Sequence, residues 1–150
     1  GIVYEPVRLV DGVLPYNFPA KLLTFLKMRY VAFLGSPDAG LEIVPCELID
    51  HNGDQLHAAL DQLAAFNEMD SRFVDWLDHS NRYYSTLVDR IVPGYPKDDA
   101  TRLEAELGYL DHSMVKGEIF HLWVIEGPSR LRTLLPFDRA GLDVRFGESS

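Results

Sequence analysis

The sequence predicts an α/β fold whose sheet is at least partly parallel. Three observations carry that expectation. Apolar residues recur at helical spacing from Pro19 to Leu34 and again from Leu56 to Phe66, with a short strand-like run, Leu41–Cys46, between them. Glycine and proline fall where these segments should stop. At 150 residues, with 47% apolar and 25% charged side chains, the chain can fill the core of one domain. Alternating helix, strand and helix favours helices layered on a sheet.

Residues 1–17 read as loop and strand, with Ile2, Val3, Tyr4, Val7, Leu9 and Val10 interrupted by Pro6, Gly12 and Pro15. Pro19 suits a first helical turn, where its missing N–H costs nothing. Leu22, Leu23, Leu26, Tyr30, Phe33 and Leu34 form one helix stripe, widened by Phe25 and Val31, and Gly35 ends it. Lys21, Lys27 and Arg29 lie off the stripe, as a solvent face should. A turn over 36–40 precedes the strand Leu41–Cys46, which Pro45 terminates. Asn52 or Asp54 can cap a second helix with Leu56, Leu60, Leu63, Ala64 and Phe66 inward. Ser71 can cap a third carrying Phe73, Val74, Trp76 and Leu77. Thr86–Val92 is strand or helix; the run is too short for periodicity to decide. Asp98 or Asp99 caps a helix through Leu103 and Leu107, which Gly108 closes. His121–Glu126 is a strand ended by Gly127-Pro128.

Composition excludes several classes. No apolar run approaches the ~20 residues of a membrane span, so no membrane partner is expected. The first residues hold no basic and apolar signal segment, and the missing initiator Met fits a start inside a longer protein. One cysteine, Cys46, permits no internal disulfide, and a cytoplasmic setting is the default. A net charge of −9, from 14 basic and 23 acidic residues, argues against nucleic acid as a partner.

Two segments stand out. Thr86-Leu87-Val88-Asp89-Arg90-Ile91-Val92-Pro93-Gly94-Tyr95-Pro96 sets two opposite charges inside an apolar run. If buried, each needs a partner, so the segment is an ion-pair node or the floor of a polar site. The loop Glu47–Gly53 follows the predicted strand, and ligands of open α/β sheets bind at the carboxyl ends of strands.

Pro45-Cys46-Glu47-Leu48-Ile49 with Asn52-Gly53-Asp54, and Val88-Asp89-Arg90-Ile91 with Gly94-Tyr95-Pro96, resemble the polyol dehydrogenase family that includes mannitol 2-dehydrogenase. Phe18-Pro19-Ala20-Lys21-Leu22, Glu106-Leu107-Gly108-Tyr109 and Phe120–Pro128 match in the same order across residues 1–146. The tagaturonate reductase (altronate oxidoreductase) branch is the nearest. The resemblance implies a metal-independent, NAD-dependent oxidoreductase acting on a small hexuronate or aldonate by hydride transfer. It implies a Rossmann-like cofactor domain, of which residues 1–150 are the latter part, followed by a helical domain that supplies a lysine as general base. Fructuronate reductase and mannitol 2-dehydrogenase are sister alternatives, and a non-catalytic binding module is a competitor of another class.

The departures bound the expectation. No G-x-G-x-x-G phosphate loop occurs, and the family's Lys-x-x-x-x-Asn-x-x-His pattern is missing. No catalytic residue is therefore expected within these residues, and the chain alone should be inactive. Where mannitol and fructuronate members carry an asparagine after the Cys-acid pair, Leu48 stands here.

By the resemblance, Asp89 and Arg90 lie beside the nicotinamide end of the cleft. Asp89 can hold a ribose or amide, and Arg90 can fork onto a substrate carboxylate; a structural ion pair is the alternative. Glu47 can accept hydrogen bonds from a polyol or serve only its loop. Asn52 can touch ligand, or its Asn-Gly can simply turn the chain into the helix. Thr86 or Ser85 can donate to the cofactor or satisfy local backbone. Cys46 precedes a carboxylate, which opposes thiolate formation. His51, His57, His79, His112 and His121 show no ligand spacing, and no metal is expected. Trp76 and Trp123 read as core, and Asp75 with His79 as a surface pair. Glu104, Glu106 and Asp111 read as a solvated face, and Tyr83-Tyr84 as interface candidates.

Overall fold

The computed structural model describes residues 1–147. Asn17 caps the first helix, α1 (Phe18–Ala32): its Oδ1 accepts the Ala20 N–H at 2.9 Å, and a proline occupies the first turn. Pro19, Ala20, Leu23 and Leu26 are its buried face, which packs on α2 (Asn52–Phe66) and α3 (Ser71–Ser80). The expected stripe is corrected at its end. The helix stops at Ala32, so Phe33 and Leu34 leave the helical register and stand exposed. Phe25, Met28 and Val31 form an exposed apolar outer face.

Strand β1 is only Glu42–Ile43, shorter than the apolar run that predicts it. It pairs in parallel with β2 (Arg82–Tyr83), which the sequence did not suggest as a strand. Helices α2 and α3 make the long crossover that a parallel pair requires. Where the ladder ends, Asn81 replaces it: Oδ1 accepts the Leu41 N–H at 3.0 Å, and Nδ2 donates to the Leu77 carbonyl at 3.1 Å. The turn before β1 presses on the end of α3 so closely that a Cβ on Gly40 would lie 1.6 Å from the Ser80 carbonyl oxygen.

Two caps differ from expectation. Neither Asn52 nor Asp54 caps α2; His51 does so through its backbone, in left-handed geometry at φ 46°, because the Asn52 side chain is turned inward. Asp70, and not Ser71, caps α3 by accepting the Arg72 N–H at 2.9 Å.

The main core joins Leu23 and Leu26 to Leu56, Leu60, Leu63 and Leu77, with Phe73 and Trp76 closing it. Each such leucine contributes about 1.5–3 kcal/mol by leaving water. Residues 1–17 form no strand. Asn67 takes the place of a strand partner, accepting the Leu9 N–H at 2.8 Å and donating to the Val7 carbonyl at 2.9 Å.

A second sheet begins one residue after β2. The ambiguous segment resolves as strand β3 (Ser85–Asp89), antiparallel to β4 (Leu122–Glu126), which pairs in parallel with β5 (Val144–Gly147). Helix α4 (Ala100–Leu107) ends at Gly108, whose positive φ and N–H to the Glu104 carbonyl form the expected stop. Helix α5 (Arg130–Leu134) and β5 were not anticipated; both are short. A smaller core of Tyr84, Ile125, Leu131 and Val144 lies on this sheet. Tyr84 is buried and Tyr83 half-buried, which corrects their reading as interface residues. Among the described residues, no helix is long and apolar enough to cross a membrane.

Candidate functional site

The carboxyl ends of β1 and β2 point to the two segments singled out by sequence. Their geometry rests on Asn52, which is fully buried. Its Oδ1 accepts the Thr86 N–H at 2.8 Å, while Nδ2 donates to the Glu47 carbonyl at 2.8 Å and the Thr86 carbonyl at 3.0 Å. The Thr86 hydroxyl donates to the Pro45 carbonyl at 2.5 Å. Asn52 and Thr86 therefore hold the loop after β1 against β3, with their polar atoms turned on one another. Gly53 permits the contact: a Cβ there would lie 2.3 Å from the Tyr84 carbonyl oxygen.

Two clefts flank this brace. The first, of about 370 Å³, lies between Leu48–His51 and the sheet face formed by Ser85, Leu87, Val124 and Glu126. Thr86 reaches its floor. His51 stands at its rim, with Asp50 and Asp54 carboxylates 3.9 and 3.8 Å from its ring nitrogens. The second, of about 340 Å³, has an apolar floor of Val88, Leu122, Trp123 and Val144. Cys46, Asp89, Arg90, His121 and Asp143 surround that floor.

The five sequence candidates are thus divided. Asp89 and Arg90 share the second cleft, Thr86 lines the first, and Asn52 lies beneath as a brace. Glu47 is exposed and 3.9 Å from the Gly1 amine. Asp89 and Arg90 are exposed and not buried, because β3 ends at Asp89 and the chain leaves the sheet. They form no ion pair with each other among the described residues. Arg90 instead donates Nε to the Glu118 carbonyl at 3.0 Å, and the Asp89 carboxylate is open to the cleft.

Trp123, read as core, packs half-buried against the smaller core and Phe137, and it also walls the second cleft. Its indole N–H is buried and, among the described residues, has no acceptor. Trp76 is core as expected, donating to the Ser36 carbonyl at 2.8 Å. Partial desolvation holds the exposed Cys46 thiol above its ordinary pKa, so it stays protonated at neutral pH. Behind the sheet, Glu42 accepts from the Tyr84 hydroxyl at 2.5 Å and meets Arg82 at 3.3 Å and Arg130 at 3.2 Å. Burial and then the Glu42 contact push the Tyr84 phenol up, so it remains a donor. The clefts offer apolar walls and carboxylates: binding surfaces, with no nucleophile set beside a base among the described residues.

Comparison with known proteins agrees with this architecture. The Mannitol dehydrogenase Rossmann domain matches residues 11–138. The chain is 44% identical over 146 residues to the altronate oxidoreductase of Klebsiella pneumoniae, covering 97% of this chain and 30% of that protein. It is 43% identical over 146 residues to the altronate oxidoreductase of Bacillus subtilis, again 97% and 30%. The chain thus spans about 30% of the length of these curated relatives. The fold is similar to D-sorbitol dehydrogenase in substrate-free form, with a TM-score of 0.65, 24% identity, and 88% and 25% of the two chains covered. It is similar in the same degree to Pseudomonas fluorescens mannitol 2-dehydrogenase, solved as a ternary complex with NAD and D-mannitol, at TM-score 0.65, 23% identity, and 88% and 25% coverage. The chain belongs to the mannitol dehydrogenase family, matching its Rossmann domain over residues 11–138.

Proposed function

We propose that this chain is part of the cofactor domain of an NAD-dependent oxidoreductase that interconverts D-altronate and D-tagaturonate. The observation that carries the reading is identity of 41–44% to altronate oxidoreductases along nearly the whole chain. The second cleft supports it physically. A nicotinamide is a flat ring with a polar carboxamide, and this cleft pairs an apolar floor with the Asp89 carboxylate at its edge. When bound, NAD supplies the hydride chemistry.

The chain's own residues bind and orient. Val88, Leu122 and Val144 exclude water from one face, and Asp89 accepts a hydrogen bond from an amide or ribose hydroxyl. Arg90 is steered by Glu118 and keeps its terminal nitrogens for an anion at the rim. Leu48, the position at which the resemblance separates this branch from its sisters, lines the first cleft. These 150 residues hold neither a G-x-G-x-x-G phosphate loop nor a Lys-x-x-x-x-Asn-x-x-His pattern, so the reading assigns them binding and orienting roles only.

The test is NADH oxidation by the full-length protein with D-tagaturonate, D-fructuronate and D-fructose. Tagaturonate is expected to give the highest kcat/KM. Asp89→Asn should lower it about tenfold or more, as loss of one charge-assisted hydrogen bond of ~1.5–3 kcal/mol requires. No oxidation with any of the three would sink the activity; an unchanged rate in Asp89→Asn would remove Asp89 from the site.

A further inference from the structure

A cluster of metal-ligating side chains sits where α2 meets α3, and none of its members is among the residues lining the two clefts. His57 Nε2 lies 3.1 Å from Asp78 Oδ1 and 3.6 Å from Asp61 Oδ1. One donor atom from each residue lies within 4.8 Å of the others. His57 and Asp61 are one helical turn apart on α2, and Asp78 comes from α3. All three are half-buried. Tyr83 stacks on the imidazole with ring centroids 4.1 Å apart and 9° between planes, which holds the ring in place.

One proton on Nε2 cannot serve both carboxylates. It is within hydrogen-bond reach of Asp78, and Asp61 Oδ1 is left out of solvent with no hydrogen bond among the described residues. Two carboxylates thus face a single imidazole nitrogen.

We propose that His57, Asp61 and Asp78 bind one divalent transition-metal cation, with Zn²⁺ as the reference ion, and that the cation ties α2 to α3. Zinc bonds to nitrogen and oxygen of about 2.0–2.2 Å put tetrahedral neighbours roughly 3.3–3.6 Å apart. The observed 3.1 and 3.6 Å bracket that spacing. The cation neutralises both carboxylates and uses the orphan oxygen of Asp61, and water completes the shell. The imidazole donor favours zinc, nickel or copper over magnesium or calcium.

The rival is an imidazolium bridging two carboxylates, and the experiment separates them. Full-length protein is stripped with EDTA and titrated calorimetrically with ZnCl₂. A saturable site is expected that raises the melting temperature. His57→Gln and Asp78→Asn should weaken it by more than the roughly 10- to 100-fold that loss of an outer-shell partner costs. Asp75→Asn, at the exposed pair with His79, should leave it unchanged. Cobalt-loaded protein should show tetrahedral d–d absorption that Asp78→Asn removes while its circular dichroism stays native. No saturable zinc binding, or binding that survives both His57→Gln and Asp78→Asn, overturns the proposal.

Discussion

Asn52 shows how much one side chain can decide. It is buried and bonded to backbone groups from both the loop after β1 and strand β3. Asn52→Ala leaves the Thr86 N–H and the Glu47 carbonyl without their buried partner. The expected cost is about 2 to 6 kcal/mol, at one to three per orphaned group. Urea denaturation should show it as a lower midpoint with an unchanged slope. In the sequence, Asn52-Gly53 reads as a turn, and that reading places a helix start correctly. The bracing role was not legible, because the partner Thr86 is 34 residues away. Asn67 and Asn81 repeat the device, each standing in for a missing strand partner.

At the scale of elements, the α2–α3 contact carries a pH dependence. The Asp61 carboxyl titrates above its ordinary 3.8, chiefly through burial. The folded state therefore holds this proton more tightly than the unfolded state. The group's contribution favours folding most at low pH and weakens as pH rises from about 3.8 through the raised value. Asp61→Asn, which mimics the protonated form, should raise the melting temperature of metal-free protein at pH 7 by about 1 to 3 °C, a fraction of a kcal/mol at a half-exposed site. The difference from wild type should shrink as pH falls; a lower melting temperature at pH 7 would contradict it. Helices with a long apolar stripe, α1 and α2, were legible in the sequence. Strands β1 and β2, of two residues each, were legible only in part or not at all, since such a strand exists through its partner.

Across the whole molecule, order is uneven. The main core is built from α1, α2, α3 and the N-terminal segment, whereas between residues 87 and 124 only Pro96 and Ala100 are buried. Regions with few buried contacts open most easily. Backbone amides of 101–121 should exchange with deuterium well before those of Leu60–Ala64, by about tenfold or more for each 1.4 kcal/mol of local stability. Equal protection in both segments would mean that this span is held by contacts beyond those described. Exposed apolar side chains are spread over α1, over 87–92 and over 107–120, including Phe25, Met28, Ile91 and Ile119. The chain spans about 30% of the length of its relatives, so the full-length protein is the proper object of the exchange measurement.

The sequence by itself determined the α/β class, the helices that fill the core, the two segments at the strand ends and the family. These follow from periodicity, from glycine and proline stops, and from motifs in order along the chain. Tertiary structure alone decided which face each candidate serves. It turned Asn52 and Thr86 onto one another, left Asp89 open in an apolar cleft, set Trp123 at the edge of the smaller core and brought Asp78 to His57 from 21 residues away. Local propensity acts over a few residues, whereas a site is assembled by contacts between distant ones, and burial is a property of the assembled whole.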